Sequence, residues 1–210
     1  MTVGVVIPCL WLNDDLIKMT IRCVNSLVDT CDAKWLLVDD GSPAPYPEEV
    51  PWILELNENR GYAVAANAGM ELIDTDIIIV ANNDIEFLPG WFEAILLPLY
   101  GDYDVSMIRV TDSDGWETEE KITENDKFGS LFAMKREVYD IVGGFDERFR
   151  GYFSDLDYRK RIIESGFRIG KNHAGLVEHK GKATYKQADP EDKEYLKAME
   201  IYREKWGYVD

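Results

Sequence analysis

Residues 77–87 read Ile-Ile-Ile-Val-Ala-Asn-Asn-Asp-Ile-Glu-Phe, an apolar run that ends on two amides and one carboxylate. The run 77–81 is apolar at every position, which is typical of an interior strand of a parallel sheet that is covered on both faces. Polar groups at the carboxyl end of such a strand lie where open α/β sheets bind ligands. Asp84, beside the amides of Asn82 and Asn83, could hold a hard divalent cation that carries phosphates. A strand followed by an Asn-rich turn explains the stretch equally well when it is taken alone.

The charge balance excludes several classes of function. The chain has 210 residues, 46% of them hydrophobic, and a formal net charge of −17. So acidic a chain is a poor candidate for binding nucleic acid or an anionic membrane, because both need Lys and Arg to neutralise phosphate. A phosphate site in this chain would therefore need a metal ion. The acidic clusters at 112–126 and 189–194 are also explained as solvated surface.

The length and the N-terminal sequence predict one soluble, cytoplasmic domain that spans residues 1–210. The three cysteines, Cys9, Cys23 and Cys31, have neither redox nor zinc spacing, which favours reduced thiols in the cytosol. The first residues carry no basic segment and enter a strand directly, so no signal peptide is expected. No apolar run approaches the roughly 18 residues that a transmembrane helix needs.

Strands and helices alternate along the first half of the chain, which predicts a parallel, Rossmann-like sheet. The predicted strands are Val3–Ile7, Lys34–Val38, Trp52–Leu56 and Asp76–Ala81, and the predicted helices are Asp14–Leu27 and Tyr62–Leu72.

The second half has a less regular pattern. After a helix at Trp91–Leu99, residues 111–127 are predicted to be a long loop or flap around Trp116. The elements expected beyond it are an extended segment at Phe128–Met134, helices at Glu137–Val142, Ser154–Ser165 (with Ser154 as N-cap) and Pro190–Trp206, and short strands at Phe167–Ile169 and Leu176–Val177.

Polar residues follow the second strand and open the second helix. A carboxylate of Asp39 or Asp40 could accept a hydrogen bond from a nucleotide base or a ribose hydroxyl. The amides of 59–61 and the guanidinium of Arg60 could hold a phosphate or a base edge, with Asn67 close by on the helix. A tight turn and a Gly-assisted helix start explain the same residues without a ligand.

Two acids open the helix predicted at 154–165. Asp155 and Asp157 each lie four residues before an arginine and near the positive end of the helix dipole, so both have a structural explanation. One of them could instead act as a general base. A lone histidine such as His179 is more often structural than a ligand. Paired with Asp84, it would favour Mn²⁺ over Mg²⁺.

A series of short motifs, in this order, resembles the family 2 glycosyltransferases, which are inverting enzymes with the GT-A fold. The likeness covers nearly the whole chain, and each motif alone is weak. The matching segments are 5–8, 37–42, 59–63 with 67–69, 82–84 with 89–91, 142–149, 152–157 with Arg161, 177–179 and 205–207.

The resemblance implies a nucleotide-sugar site in the donor half, 1–100. Asp39 or Asp40 would accept the N–H of the base, while Pro8 and the segment Asn59, Arg60 and Gly61 line the base and ribose. The segment Asn82-Asn83-Asp84 occupies the position of the family's DxD motif. Asp84 would be the acid that binds a divalent metal, with Mn²⁺ favoured and Mg²⁺ possible, and His179 would help to hold the metal and the diphosphate.

In the acceptor half, 101–210, the resemblance implies that Asp155 removes a proton from the acceptor hydroxyl. Trp116 and Asp157 are the predicted acceptor contacts, with Trp116 as an aromatic platform for a sugar. Two departures stand out: Asn82 replaces the first acid of the DxD motif, as in many rhamnosyltransferase-like members, and Ser154 replaces the family's glutamate.

The expected protein is thus an α/β, GT-A domain with a mostly parallel central sheet flanked by helices and a smaller acceptor-side region. Its expected function is metal-assisted, inverting transfer from a UDP-, dTDP- or GDP-sugar to a hydroxyl of a glycan or other acceptor. Two alternatives stay open: a nucleotide-sugar-binding module that has lost catalysis, and a sugar-nucleotide pyrophosphorylase. The second would need a Gly-rich basic loop after the first strand, and residues 9–15 contain none.

Overall fold

The computed structural model of the protein describes residues 1–44, 53–111, 121–124, 128–179 and 191–207. Its strands are β1 (Val3–Cys9), β2 (Lys34–Asp39), β3 (Ile53–Glu55), β4 (Ile77–Ala81), β5 (Ile85–Phe87), β6 (Val105–Thr111), β7 (Ile122–Glu124), β8 (Leu131–Lys135) and β9 (Ile169–His179). Its helices are α1 (Asp14–Thr30), α2 (Tyr62–Leu72), α3 (Trp91–Leu96), α4 (Arg136–Val142), α5 (Ser154–Glu164) and α6 (Lys193–Trp206), with a 3₁₀ helix at Leu97–Tyr100.

All the described strands join one sheet in the order β3-β2-β1-β4-β8-β6-β9-β5, and β7 pairs with β9 beside this path. β3, β2, β1 and β4 are mutually parallel. β8 is antiparallel to β4 and to β6, so β6 and its parallel neighbour β9 run in the same direction as the first four strands. The mostly parallel α/β sheet predicted from the sequence is confirmed.

The apolar run of β4 has the burial expected of a central strand. Ile77, Ile79 and Ala81 pack in the core cluster that includes α1 and α3, whereas Ile78 and Val80 pack in the cluster that includes α2, α4 and α5. Successive side chains of a strand point to opposite faces, so a strand with helices on both faces is apolar throughout. The carboxyl end of β4 is therefore fixed between two cores.

The first half of the chain follows the prediction closely, with one instructive difference in β1. Pro8 was expected to end this strand, but it stays in register with Val38 of β2. The ladder between β1 and β4 already ends at Val6, so the missing N–H of Pro8 interrupts no hydrogen bond on that side. Trp52, the predicted start of the third strand, lies outside the described residues.

The second half differs more from the prediction. β5 and β6 were not predicted, and β7 lies inside the stretch 111–127 that was expected to be a loop. The two short strands expected at 167–177 are one strand, β9, whose register against β6 shifts between Ile108 and Val110. Polar residues interrupt the apolar pattern of β9. One of them, Asn172, is buried, and its side-chain amide donates a hydrogen bond to the carbonyl of Ala94 at 2.9 Å.

The last helix, α6, is held against α5 by a buried ion network. The carboxylate of Asp157 is fully buried and receives Arg161 Nε at 2.9 Å, Lys205 Nζ at 2.7 Å and Trp206 Nε1 at 3.0 Å. Phe153 and Tyr202 pack in the apolar cluster next to it. Asp157 was predicted to contact the acceptor, but it is fully buried and these partners engage both of its carboxylate oxygens.

In the described ranges, no helix combines the length and the apolar character that crossing a bilayer requires. Cys9, Cys23 and Cys31 are free thiols, as expected.

We expect Asp157→Asn to lower the free energy of unfolding by about 1.5–3 kcal/mol, because the charge-assisted hydrogen bonds to Arg161 and Lys205 are weakened, although Lys205 keeps its second partner, Asp146. Urea denaturation would measure the change. The matched control is Asp15→Asn, which loses an exposed ion pair with Lys18 and should keep the wild-type midpoint. Equal midpoints for the two variants would contradict a stabilising role for the network.

Candidate active site

A cavity of about 1080 Å³ opens at the carboxyl ends of β1 and β4. It collects most of the site residues predicted from the sequence, namely Pro8, Asp40, Asn59, Gly61, Asn82, Asn83, Asp84, Asp155 and His179. Asp39, Arg60, Asn67 and Asp157 do not line it. Trp116, the predicted aromatic platform, lies outside the described residues.

Asp84 and His179 meet because β5 pairs with β9. The antiparallel register places Ile85 opposite His179, so the residue before β5 contacts the residue that ends β9. Nε2 of His179 lies 3.0 Å from Oδ1 of Asp84, and Asp84 is only 6% exposed. Within the described part of the chain, Oδ1 of Asp84 is buried and accepts no well-aligned hydrogen bond. The carboxylate and the imidazole thus form a pair of potential metal ligands.

This pair is not a complete protein-made metal centre. Among the described residues, no group of three or more His, Cys, Asp or Glu side chains converges on one point. A cation bound by Asp84 and His179 would need further oxygens from another source, and the phosphates of a ligand are the natural donors.

Asn83 is anchored to the interior through Thr20. Nδ2 of Asn83 donates to Oγ1 of Thr20 at 2.8 Å, and the indole Nε1 of Trp11 donates to the same oxygen at 3.0 Å. The hydroxyl of Thr20 donates in turn to the carbonyl of Leu16 at 3.1 Å. Thr20 is completely buried, so these contacts fix the turn that carries Asp84.

Asp40 closes the loop that leads into α2. Its two carboxylate oxygens accept the backbone N–H groups of Arg60 at 2.8 Å and of Gly61 at 2.7 Å. Burial raises the pKa of Asp40, and these two amides partly offset the rise. The neighbouring Asp39 accepts from the backbone N–H of Ser42 at 3.0 Å and from its hydroxyl, which makes Asp39 part of a turn.

Arg150 is a cavity residue that sequence analysis missed. Its Nη2 donates to the backbone carbonyl of Asn59 at 2.8 Å and to the side-chain Oδ1 of the same residue at 2.6 Å. Gly61, at φ 100°, is so close that a Cβ there would lie 2.6 Å from the carbonyl oxygen of Arg150. Arg150 therefore joins the loop of the first half to the segment that precedes α5. No spacing rule in the sequence indicates this contact, which spans 91 positions.

Asp155 reaches the cavity from the first turn of α5. Burial raises the pKa of its carboxyl, and the backbone N–H groups of Asp155 and Leu156 partly offset this. The expected N-cap, Ser154, is instead the first helical residue, and its hydroxyl donates to the carbonyl of Gly151 at 2.6 Å. The cap position is held by Phe153, at φ 63°.

Asn67 has a structural contact in place of the predicted nucleotide contact. Its Nδ2 donates to the carbonyl of Phe145 at 2.9 Å, and its Oδ1 accepts the N–H of the same residue at 2.7 Å. Both ends of the amide are thus engaged with the turn after α4, away from the cavity.

Comparison with known proteins identifies the architecture. A family model described as "Glycosyl transferase family 2" matches residues 5–160. Two curated proteins named N-acetylglucosaminyl-diphospho-decaprenol L-rhamnosyltransferase, from Mycobacterium tuberculosis strains CDC 1551 / Oshkosh and ATCC 25618 / H37Rv, are each 26% identical over 199 residues. These alignments cover 69% of this chain and 64% of each relative, so the chain spans slightly less than two thirds of their length.

Two solved structures share the fold. S. aureus TarS superposes with a TM-score of 0.72 at 13% identity, over 96% of this chain and 39% of that one. A shorter form, S. aureus TarS 1-349, gives a TM-score of 0.68 at 13% identity, over 96% of this chain and 64% of that one. At such low identity the likeness shows the fold alone.

We expect Thr20→Val to lower the free energy of unfolding by about 1–3 kcal/mol, because the buried donors of Asn83 and Trp11 lose their shared acceptor. The control, Thr20→Ser, keeps the hydroxyl and should lose less stability. Urea denaturation of both variants would measure the difference. A Thr20→Val protein as stable as Thr20→Ser would contradict the anchoring role.

Asp155→Asn should be more stable than the wild type near neutral pH. Because the folded protein raises the pKa of Asp155, ionisation of this carboxyl disfavours folding at pH values above the raised pKa. The gain should shrink as the pH falls towards the unperturbed aspartate pKa of about 3.9, where both side chains become neutral. Urea midpoints at about pH 7 and pH 4 would test this. A variant that is less stable at neutral pH would contradict it.

Proposed function

Because the chain belongs to glycosyl transferase family 2 and has the GT-A fold, we propose that it transfers a sugar from a nucleoside-diphosphate sugar to a hydroxyl of a glycan or other acceptor. One observation carries the proposal: a single cavity contains the buried Asp84–His179 pair and, apart from it, the carboxylate of Asp155. The pair suits a diphosphate with its cation, and the separate carboxylate suits proton removal. The proposed donors are UDP-, dTDP- or GDP-sugars, and the proposed location is the cytoplasm, where the three free thiols would stay reduced.

The residues at the Asp84–His179 pair fit a divalent cation. Oδ1 of Asp84 and Nε2 of His179 lie 3.0 Å apart, and this oxygen is buried without an aligned hydrogen bond from the described residues. This mixed donor set favours Mn²⁺, with Mg²⁺ as the second choice. When bound, the cation would neutralise charge on the departing diphosphate.

The other end of the donor site is proposed to hold the nucleotide base. Asp40, Asn59 and Pro8 line this region, and Arg150 holds the loop in place. Each oxygen of Asp40 already accepts one backbone amide and retains a second lone pair, with which it could accept the N–H of a base. Asp39 is a weaker candidate because it caps a turn outside the cavity lining.

Asp155 is the proposed general base. It lies in the same cavity as the diphosphate site, and its raised pKa makes the carboxylate a better proton acceptor than an exposed aspartate. The acceptor O–H proton moves to Asp155 while the acceptor oxygen bonds to the anomeric carbon. The bond from that carbon to the diphosphate oxygen breaks at the same time. Attack opposite the leaving group inverts the anomeric configuration.

A binding module without catalysis is the second candidate function, because Asn82 and Ser154 replace acids of the family's motifs. The two candidates differ in turnover. A catalyst releases nucleoside diphosphate from a donor in the presence of Mn²⁺, whereas a binding module retains the donor intact.

We expect Asp155→Asn to reduce transfer at least about 100-fold, the usual contribution of a positioned base, while the donor dissociation constant changes little. Release of UDP, dTDP or GDP from the corresponding sugars measures turnover, and calorimetry measures donor binding. The control is Glu164→Gln, an exposed acid at the end of the same helix. Retained turnover in Asp155→Asn would contradict the assignment of the base. Donor binding by the wild type without any release would favour the binding module.

The pH dependence of kcat/KM for transfer should reflect the ionisation of Asp155. Since its pKa is raised by burial, kcat/KM should begin to fall at a higher pH than the ordinary aspartate value of about 3.9 would give. On the acidic side of the profile, the logarithm of kcat/KM in the wild type should fall with the slope expected for the protonation of one group. A rate that stays constant down to the ordinary aspartate pKa would argue against Asp155 as the base.

A further inference from the structure

One phenol of the cavity has no role in the mechanism proposed above. Tyr62, the first residue of α2, lines the cavity and is partly buried. We propose that its O–H donates a hydrogen bond to the substituent on C2 of the transferred sugar, which makes Tyr62 a residue that selects the donor. This inference rests on the proposed function and deepens it, because it concerns the donor sugar of the same reaction.

The ring of Tyr62 is held in place by the second half of the chain. It packs edge-on against Phe145, with the ring centroids 5.8 Å apart. Phe145 packs in turn against Tyr158 at 4.6 Å, inside the core cluster that includes α2, α4 and α5. The backbone of Phe145 is bound by both ends of the side-chain amide of Asn67, which lies on α2 itself. The apolar part of Tyr62 is therefore anchored to the helix that carries it.

The hydroxyl of Tyr62 lacks a hydrogen-bond partner among the residues that the structure describes. Its oxygen remains accessible, and the residue lines the cavity. Tyrosine hydroxyls that are withdrawn from bulk water usually find a hydrogen-bond partner. A ring that is anchored at its apolar end and leaves its polar end unsatisfied in a cavity therefore points to a partner in the ligand.

Two carboxylates of the site lie within electrostatic reach of this hydroxyl. Burial raises the pKa of Tyr62, and the charges of Asp155 and Asp84 raise it further. The phenol therefore keeps its proton at physiological pH and can donate it in a hydrogen bond. Asp84 belongs to the proposed cation seat and Asp155 is the proposed base. The hydroxyl of Tyr62 is thus near both the group that leaves and the group that activates the attacking oxygen.

The chemistry of transfer indicates which atom of the sugar meets this hydroxyl. In an in-line displacement the anomeric carbon lies between the leaving oxygen and the attacking oxygen, so a group near both faces the atoms bonded to that carbon. These atoms include the ring oxygen and C2. The ring oxygen shares its lone pair with the anomeric carbon as oxocarbenium character develops, which makes it a poor acceptor. The substituent on C2 remains, and hydrogen bonds to it strengthen in such a transition state.

The first experiment removes the phenol O–H and measures hydrolysis of the donor. Nucleoside diphosphate release with Mn²⁺ is followed for UDP-glucose, UDP-galactose, UDP-N-acetylglucosamine, dTDP-glucose, dTDP-rhamnose and GDP-mannose. For the best of these donors, Tyr62→Phe should lower kcat/KM about three- to tenfold, the worth of one uncharged hydrogen bond, and mainly through kcat. Calorimetry should give the variant the wild-type affinity for the nucleoside diphosphate alone, because that ligand carries no sugar.

The second experiment identifies the contacted position with deoxy donors. The 2-deoxy form of the same sugar lacks the acceptor, so the wild type and Tyr62→Phe should hydrolyse it with equal kcat/KM. The 4-deoxy form keeps the substituent on C2 and should show the full effect of Tyr62→Phe. Because the two proteins are compared on one donor at a time, differences in the intrinsic reactivity of the donors cancel.

Two controls separate this contact from effects on the fold. Tyr62→Phe keeps the ring against Phe145 and loses a hydroxyl that has no partner in the described parts of the chain, so urea denaturation should show no loss of stability. Tyr100→Phe removes the hydroxyl of a 64% exposed tyrosine that does not line the cavity, and should leave kcat/KM unchanged.

The possible failures are distinguishable. Unchanged kcat/KM in Tyr62→Phe, weaker binding of the nucleoside diphosphate alone, an undiminished effect on the 2-deoxy donor, or a clear loss of stability would each overturn this inference and leave the proposed function standing. If the wild type neither binds nor hydrolyses any of these donors, the proposed function is wrong, and this inference with it.

Discussion

The burial of negative charge is the constraint on which this cavity depends, because a carboxylate removed from water must be compensated by partners nearby. Asp40 is compensated by two backbone amides, and Asp157 by two cations and an indole N–H. Asp84 is similarly buried, but what it meets is an imidazole at 3.0 Å, and its Oδ1 accepts no aligned hydrogen bond from the described residues. The least compensated of these carboxylates therefore lies at the end of the central strand, where a cation and a diphosphate would supply the charge that the protein does not.

The parts of the fold that the sequence predicts are those with a strong local signal. α2 was predicted with its observed bounds, and β4 within one residue. Both elements are buried, and the spacing of apolar residues along a buried helix or strand indicates which of the two it is. β5 and β6 were missed, and β9 was divided into two strands because polar residues interrupt its apolar pattern. The buried amide of Asn172, which bonds to the carbonyl of Ala94, is one such case. A local pattern does not record a contact of this kind.

In the candidate site, too, some residues were expected from the sequence and others depend on contacts between distant parts of the chain. The meeting of Asp84 and His179 was expected from the family resemblance, and the ladder between β5 and β9 shows how the fold achieves it. Arg150 was not expected, because its contact with Asn59 joins the two halves of the chain. The partners of Asp157 were not expected either, because an acid in the first turn of a helix has the same local sequence whether it faces a ligand or a lysine 48 residues away.

Calorimetric titration of UDP, dTDP and GDP into the wild type and into Asp84→Asn, each with and without Mn²⁺, tests the central claim most directly. If Asp84 and His179 form a cation seat that a diphosphate completes, Mn²⁺ should tighten the binding of at least one of these nucleotides about tenfold or more in the wild type. The tightening should be lost in Asp84→Asn. Equal affinities with and without Mn²⁺ in the wild type, or full Mn²⁺ dependence in the variant, would contradict the account.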